Sequence, residues 1–406
     1  MMQQTLIHAL FERAKGPHFA VTYPDGATRT YGNRDAEDTD DEHPPLFYIT
    51  FHGELDLSAL RDNPILHLGE AYMDGIIDID GDIQHVFEMG LDLMANLDLL
   101  RGNTDGILQR FLGRQRTAGR EEQVEGVQHH YDLGNDFFRR WLDDTMSYSC
   151  AYFRSPGDSL YRAQLQKIDH SLRKLHLTPG DTLLDIGSGW GHLIIEAARR
   201  YGATARGITL SHEQVRETRR RIRDAGLGDR VQVDLADYRE LAAQDVPFDR
   251  IVSIGMFEHV GKEHIPGYFA ALEGMLQPRG LSLLHTLTHP REDPSNPWLE
   301  KYIFPWGYVP SVREVVWQLP EHGFHLLDVE DLRRHYAITT HRWAENFEEV
   351  AEAVREEYGE RFVRMWRLFL NGSSVSFWRT GLGVHQFLFS KGLNNDLPLT
   401  RESLYQ

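Results

Sequence analysis

Strands alternate with helices along most of the second half of this 406-residue chain. The apolar run in DTLLDIGSGWG (181–191) predicts a buried strand that ends in a glycine turn, and HLIIEAARRYG predicts the helix after it. ATARGITLS, RVQVDLADY, FDRIVSIGMF and GLSLLHTLT predict further strands, with helices at HEQVRETRRRIRDAG and near Pro266. This alternation predicts an α/β fold with a parallel, doubly wound sheet.

A different pattern fills the N-terminal part of the chain. Period-two alternation predicts strands in LFYITFHGEL (46–55) and in HLGEAYMDGIIDIDGD (67–82). The segment FLGRQRTAGREEQVEG (111–126) mixes glycine with charge and has no apolar period, which indicates a linker. We therefore predict a small N-terminal α/β domain at 1–105, a linker at 106–127 and a larger domain at 128–406.

The composition of the chain limits which binding partners and which cellular compartment we expect. The formal net charge of −18 argues against nucleic acid as a partner and against simple electrostatic adhesion to anionic lipid. A single cysteine excludes a disulfide framework, and we expect no metal site. The N-terminus lacks the apolar core of a signal peptide, and no apolar run reaches about 18 residues. We expect a cytoplasmic protein.

The turn after the first strand of the larger domain carries candidate cofactor chemistry. Gly187, Gly189 and Gly191 stand where such sheets bind cofactors, and glycine lets the backbone approach a ligand closely. A dinucleotide fold uses a similar turn. The spacing G-x-G-x-G, with Asp185 just before it to help place an amino acid group, favours S-adenosylmethionine.

The ends of the next two strands give a less specific signal. A dinucleotide fold, and most methyltransferases, would place an acidic residue after the second strand to bind the ribose. Here Thr209 and Leu210, in GITLS, occupy that position. Asp237 and Tyr238 follow the third strand, where they would frame an adenine. Taken alone, each group fits a polar loop at a strand end equally well.

Two candidate catalytic residues follow the next strands, and an aromatic insertion comes after them. Glu258 stands after the fourth strand and His285 near the end of the fifth, so a parallel sheet brings both to the cofactor edge. KYIFPWGYVPS (301–311) is rich in proline and aromatic residues. Its composition suits an apolar, chain-like substrate and cation–π support of a carbocation.

Over nearly its whole length the chain resembles the cyclopropane-fatty-acyl-phospholipid synthases and the related mycolic acid cyclopropane synthases. The resemblance rests on HYDLGNDFF, MSYSCAYF, LDIGSGWG, GITLS, VSIGMFEHVG, LLHT, KYIFP and HYAITTHRW. LGEAYMDG (68–75) is similar to the N-terminal domain of the phospholipid enzymes, which the mycolic acid branch lacks. Two positions depart from the family pattern: Ser188, where Cys is usual, and Trp306, where a smaller residue is common.

The resemblance implies a Rossmann-like class I methyltransferase fold and an activity. Such enzymes transfer methylene from S-adenosylmethionine to a cis double bond of a phospholipid acyl chain, through a carbocation that a bound bicarbonate deprotonates. Matched motif by motif, the catalytic residues would be Glu258, His285, Tyr336 and Cys150, which with the main chain at Leu287 would bind the bicarbonate. We expect Cys150 to be a neutral pocket wall, because no base or cation adjoins it in sequence.

The resemblance also implies binding residues and partners. The cofactor motifs match Tyr148, Ser149, Gly187, Gly189, Thr209, Leu210, Gln214 and Tyr238, and Tyr131 would close over the same site. Tyr302, Phe304 and Trp306 would line the substrate channel. The expected partners are membrane phospholipids with unsaturated acyl chains, at the inner face of the membrane, and a second copy of the chain in a homodimer.

Three other functions compete with this prediction. A methyltransferase on the same alkene would yield methyl-branched or hydroxylated chains, and the pairing of Glu258 with His285 and Tyr336 favours ring closure over it. A small-molecule methyltransferase would not need the aromatic insertion or the N-terminal domain. A catalytically silent lipid-binding protein would not need intact cofactor and base motifs.

Overall fold

A computed structural model describes residues 2–14, 16–32, 44–100, 119, 122, 133–292 and 296–405. The chain forms two compact units: Met1–Gln115, Asp293–Ile303 and Phe347–Thr380 make the first, and Arg116–Glu292, Phe304–Asn346 and Gly381–Gln406 the second. These units divide the chain differently from the predicted domains, because two later segments belong with the N-terminal residues. Most of the predicted linker, and Tyr131, lie outside the described residues.

The first unit is a small mixed sheet with helices. Its strands, in the order β2-β1-β3-β4, are β1 Phe19–Thr22, β2 Thr28–Tyr31, β3 Phe47–Phe51 and β4 Ile77–Gly81. Its helices are α1 Met2–Phe11, α2 Leu57–Asp62, α3 Pro64–Met73, α4 Ile83–Leu100, α11 Pro297–Tyr302 and α14 Glu360–Arg379. Phe19 stacks on Phe47 with ring centroids 5.0 Å apart, at the centre of the apolar core. The N-terminal part is therefore α/β, as predicted.

One predicted strand segment is wrong. Of the segment 67–82, the first part lies in helix α3, and only β4 is a strand. Asn63 caps the helix by accepting a hydrogen bond from the Leu66 amide at 3.1 Å, and Pro64 occupies the first turn, where its missing N–H leaves no bond unmade. These local start signals outweigh the apparent period-two pattern.

The second unit contains a seven-stranded sheet in the order β10-β11-β9-β8-β5-β6-β7. Its strands are β5 Thr182–Ile186, β6 Thr204–Thr209, β7 Val231–Leu235, β8 Phe248–Ile254, β9 Leu276–Thr288, β10 Phe324–Asp331 and β11 Gly383–Lys391. Strands β5 to β9 pair in parallel, and β11 pairs antiparallel with both β9 and β10. The carboxyl ends of the parallel strands therefore meet at one edge, where a site is expected.

Helices and a central core complete the second unit. The helices are α5 Asn135–Arg139, α6 Leu160–Lys174, α7 His192–Tyr201, α8 His212–Asp224, α9 Tyr238–Ala242, α10 Ile265–Met275, α12 Val312–Glu321 and α13 Arg333–Tyr358, with residues of α13 from 347 onward belonging to the first unit. Short 3-10 turns span Phe257–His259, Lys262–His264 and Arg401–Leu404. Two apolar clusters pack against the sheet and hold its strand ends in place.

Candidate active site

The turn between β5 and α7 is built by the main chain. Gly187, Gly189 and Gly191 all have positive φ, a conformation that costs an L side chain about 1–2 kcal/mol. A Cβ on Gly191 would lie 2.3 Å from Thr218 Cγ2, so no larger residue fits there. The amides of Gly187 and Ser188 both donate to the Ile208 carbonyl, at 2.9 and 3.0 Å, which ties the turn to β6.

A cavity of about 140 Å³ opens beside this turn. It lies among the ends of β5, β6, β7 and β8 and the strip that runs from residue 145 to residue 149. All predicted cofactor residues line it: Tyr148, Ser149, Asp185, Gly187, Gly189, Gly191, Thr209, Leu210, Gln214, Asp237 and Tyr238. We call this group, with the glycine turn, the cofactor edge.

Hydrogen bonds at the cofactor edge set which polar groups face the cavity. Thr209 Oγ1 donates to Gln214 Oε1 at 2.6 Å, so these two side chains are paired. The carboxylate of Asp237 caps α9 and also accepts from the Arg239 guanidinium, at 2.9 Å from Nε and 2.6 Å from Nη2. A purine in this cavity would therefore meet an Asp237–Arg239 ion pair and not the bare carboxylate that the sequence suggests.

A buried lysine below the cavity was missed by the sequence analysis. Lys167, on α6, donates from Nζ to Ser149 Oγ at 3.0 Å and lines the cavity with Asp185. Burial lowers the pKa of Lys167 to about 8 and raises the pKa of Asp185 to about 7, a rise that the Lys167 charge opposes. The only signal was a lysine on the buried face of α6, which sequence alone does not separate from a solvated one.

Glu258 follows β8 and is held by main-chain groups. The Leu287 amide donates to Glu258 Oε1 at 2.6 Å, while Glu258 Oε2 is buried without a protein hydrogen-bond partner. Burial raises the pKa of this carboxyl, against the lowering effect of the Leu287 amide. The Leu287 amide, predicted to bind the bicarbonate, thus donates to Glu258, and its contact with an anion stays a prediction.

His285 lies on β9 directly opposite Gln386 on β11. Gln386 Nε2 lies 3.2 Å from His285 Nδ1, and His285 Nε2 is buried without a protein partner. Burial, with the charges of Lys167 and Lys174, lowers the pKa of His285 to about 3, so the ring is neutral near pH 7. The adjoining Gly255 amide donates to the His285 carbonyl at 2.9 Å, which joins this residue to the end of β8.

Cys150 and Tyr336 are linked to strands β11 and β9 by hydrogen bonds that pass through the main chain of Leu332. The single S–H of Cys150 can donate to the carbonyl oxygen of Ala151, 3.3 Å from Sγ, or to that of Leu332, at 3.8 Å, and burial raises the pKa of the thiol. The Leu332 amide donates to the carbonyl of Val384, the residue opposite Leu287, and the Tyr336 amide donates to Leu332. We call Glu258, His285, Cys150 and Tyr336, the residues predicted from the sequence to hold a base, the base pocket.

The aromatic insertion is divided between the two units. Tyr302 belongs to the first unit, where its hydroxyl donates to Glu70 Oε1 at 2.7 Å. Phe304 belongs to the second unit and packs edge-on against His259, which lines the cavity, with ring centroids 6.0 Å apart. Trp306 has a φ of +64°, in the left-handed region that favours glycine. The structure therefore does not bring Tyr302 into the unit that holds Phe304 and Trp306.

The described part of the chain has neither a membrane-spanning helix nor a metal-binding cluster. No helix among the described residues is long and apolar enough to cross a membrane. No group of three or more His, Cys, Asp or Glu side chains in the same part of the chain is arranged to hold a metal ion.

Comparisons with known proteins cover most of the chain. The family model described as mycolic acid cyclopropane synthetase matches residues 118–387, and one described as a domain of unknown function (DUF7884) matches residues 6–96. A probable fatty acid methyltransferase of Pseudomonas putida is 38% identical over 348 residues, 84% of this chain and 86% of the relative. The cyclopropane-fatty-acyl-phospholipid synthase of Escherichia coli K12 is 38% identical over 346 residues, 83% of this chain and 86% of the relative.

Two solved structures each cover about two thirds of this chain. The cyclopropane synthase MmaA2 from Mycobacterium tuberculosis has a TM-score of 0.62 at 36% identity, covering 66% of this chain and 98% of that one. The mycolic acid cyclopropane synthase CmaA1, complexed with SAH and CTAB, has a TM-score of 0.62 at 34% identity, with the same coverage. The predicted α/β fold with a Rossmann-like class I methyltransferase sheet is confirmed.

Proposed function

This chain belongs to the mycolic acid cyclopropane synthetase family, and from that premise we propose its reaction. It transfers a methylene group from S-adenosylmethionine to a cis double bond of an unsaturated phospholipid acyl chain, which becomes a cyclopropane ring. The phospholipid substrate is supported by the similarity to the Escherichia coli enzyme, whose name states it, over 83% of this chain.

The observation that carries the proposal is a pair of buried polar atoms beside the cofactor edge. Glu258 Oε2 and His285 Nε2 are both buried without protein partners, on residues that follow or adjoin the end of β8. An unmade hydrogen bond at a buried polar atom costs about 1–3 kcal/mol, so such atoms are retained where a ligand uses them. Gly255 and Met256, between Glu258 and β8, line the cofactor cavity.

The residues present fit a small oxyanion that carries one proton, as bicarbonate does. Glu258 accepts a hydrogen bond from the hydroxyl of such a group, because an ionised carboxylate is an acceptor only. His285 is neutral, so it offers one N–H without giving up a proton near pH 7. The Leu287 amide acts through Glu258, which it holds at 2.6 Å. The Cys150 thiol is neutral and buried, and it serves as the wall of the pocket.

The absent groups supply the reactive atoms: S-adenosylmethionine an electrophilic methyl group, and bicarbonate a base for the proton lost on ring closure. The chain itself would position these groups and exclude water from them. The cofactor edge would hold S-adenosylmethionine by its glycine turn, Asp185 and the residues of β6 and β7. Water would quench a carbocation to an alcohol, so the burial of Glu258 and His285 serves the reaction as well as the fold.

The proposal extends to the acyl chain. Phe304 packs against His259 at the cavity wall, and we assign it and Trp306 to the substrate channel. A tryptophan at positive φ carries roughly 1–2 kcal/mol of strain, and strained residues cluster at functional sites. Trp306→Gly should therefore remove this strain and alter the distribution of chain lengths among the products. An unchanged distribution would remove Trp306 from the channel.

The decisive experiment incubates the full chain with S-adenosylmethionine and vesicles of unsaturated phospholipid, with and without added bicarbonate. Lipid products are then identified by mass spectrometry after hydrolysis. A ring product whose yield falls when bicarbonate is depleted supports the proposal. A ring product with no bicarbonate dependence would remove bicarbonate from it, and the absence of any modified acyl chain would refute the reaction.

A second product class has support from one relative. The Pseudomonas putida protein, named a probable fatty acid methyltransferase, is as similar to this chain as the Escherichia coli synthase, at 38% identity each. The alternative reaction adds a methyl group to the same alkene and ends in a methyl-branched or hydroxylated chain. The same product analysis separates the two, because branched and hydroxylated chains differ from ring chains in their fragments or mass.

The remaining parts of the proposal concern location and assembly. We place the enzyme in the cytoplasm, peripherally bound at the inner face of the membrane, as a homodimer. Co-sedimentation of the full chain with phospholipid vesicles tests the first point, and light scattering of the purified chain tests the second. Deleting residues 1–105 would be a poor test, because the first unit also contains Asp293–Ile303 and Phe347–Thr380.

A further inference from the structure

A buried glutamine on β11 contacts the base pocket without belonging to any recognised motif. Gln386 is fully buried, and its Nε2 lies 3.2 Å from His285 Nδ1 and 3.3 Å from Ser171 Oγ. The carbonyl oxygen of the same side-chain amide, Gln386 Oε1, has no protein hydrogen-bond partner. One amide nitrogen therefore serves two acceptors, which is the full donor capacity of an NH₂ group.

The orientation of this amide follows from Ser171. The Ser171 hydroxyl donates to the Lys167 carbonyl one turn earlier in α6, at 2.8 Å, so its proton is already committed. Ser171 Oγ can then only accept, and the group of Gln386 that faces it must be the NH₂ and not the carbonyl oxygen. The second amide proton points to His285 Nδ1, which must accept it.

A neutral imidazole has one N–H, so an accepting Nδ1 leaves the proton on Nε2. We propose that Gln386 is a positioning residue that fixes His285 in its Nε2–H tautomer. The base pocket then presents an N–H to an oxyanion at His285 Nε2, which is buried without a protein partner. With the opposite tautomer, Nε2 would present a lone pair to the anion and repel it.

This inference rests on the proposed function for its ligand, but the tautomer itself is measured without any ligand. Nitrogen-15 chemical shifts of a histidine-labelled full chain distinguish the two ring nitrogens, and His285→Gln identifies the His285 signals by their loss. We expect a neutral ring protonated at Nε2 in the free protein at pH 7.5. A ring protonated at Nδ1 would overturn the proposal, whatever the reaction turns out to be.

Gln386→Glu is the most informative variant, because it keeps the shape of the side chain and replaces the amide NH₂ donor by a carboxylate oxygen that accepts. The lysines that act on His285, Lys167 and Lys174, favour the ionised carboxylate there. We expect the proton to move to Nδ1 and the bicarbonate concentration for half-maximal activity to rise about 10- to 100-fold, the range known for outer partners of metal-binding histidines. A protonated Nε2 with unchanged bicarbonate dependence would refute the role.

Ser171→Ala changes no charge and removes the group that orients the amide. We expect a smaller rise in the half-maximal bicarbonate concentration, of a few fold, with S-adenosylmethionine affinity unchanged. Leu388→Ala, two residues along β11 and also buried, is the control for general loosening of the strand. A matching rise in Leu388→Ala would show that the effect is structural. If the wild type shows no bicarbonate dependence, the proposed base fails while the tautomer result stands.

Discussion

The cofactor edge and the base pocket lie on neighbouring strand ends but are built in different ways. The cofactor edge depends on main-chain geometry, with three glycines at positive φ and two amides on one carbonyl. The base pocket depends on side chains, Glu258 and His285, that are buried and partnered by residues far along the chain. We therefore expect the cofactor edge to tolerate side-chain changes such as Ser188, and the base pocket to be most sensitive at Glu258 and His285.

The first test of this comparison, with the largest expected effect, replaces the carboxylate of Glu258 in the base pocket. Glu258→Gln keeps the volume and an oxygen for the Leu287 amide, but it loses the carboxylate that orients the base. Activity should fall by about 10²–10⁴-fold, the range for a positioned acid–base group. Calorimetry should show an unchanged affinity for S-adenosylmethionine. Retention of more than a tenth of the activity would contradict the division between the two sites.

The second test sets two glycines of the cofactor edge against each other. Gly191→Ala combines positive φ with a Cβ 2.3 Å from Thr218, whereas Gly189→Ala has positive φ and open space within 4 Å. The first should lower the free energy of unfolding by about 2–5 kcal/mol and the second by about 1–2 kcal/mol. Chemical denaturation measures both. Equal losses would mean that φ alone, and not close packing, limits this turn.

The third test measures how the free energy of unfolding depends on pH through Asp185 at the cofactor edge. The pKa of Asp185 is about 7 in the folded protein, above its ordinary value, so its contribution to stability is complete below about pH 4 and is lost as pH rises through 7. The cofactor-free wild type should lose up to roughly 4 kcal/mol in this window from Asp185. Asp185→Asn should flatten that part of the curve.

The control for this test is Asp229→Asn, which removes an exposed carboxylate and changes the net charge equally. Denaturation at pH 4.5 and pH 7.5 is compared for the three proteins. If Asp185→Asn shows the same loss of stability between the two pH values as the wild type, the burial of this carboxyl does not destabilise its charged form.

The two sites also differ in how far sequence could predict them. The family prediction is confirmed, and every predicted cofactor residue lines one cavity, because a glycine turn and the strand ends beside it are local patterns. Gln386 and Lys167 were missed, since their roles arise from contacts 101 and 18 residues away that no local pattern encodes. Tyr302 lies in the first unit although Phe304, two positions later, lies in the second, and its place in the substrate channel stays a prediction.

Helix α3 shows a third kind of limit. Its segment alternates apolar and polar residues closely enough to predict a strand, yet Asn63 and Pro64 start a helix there. Periodicity over a few residues does not separate the two structures, and the start signal decides. That start signal precedes the alternating segment, so the segment alone does not contain it.

The smallest effect is expected inside the base pocket, at its cysteine. Cys150→Ser should keep activity within about threefold of the wild type, because a serine hydroxyl can donate to the same carbonyls of Ala151 and Leu332 as the thiol. The raised pKa of the buried thiol leaves no thiolate to lose. Product formation is measured beside Glu258→Gln under the same conditions. A loss as large as that of Glu258→Gln would make Cys150 a reacting group, and the pocket would then contain a nucleophile where we propose an inert wall.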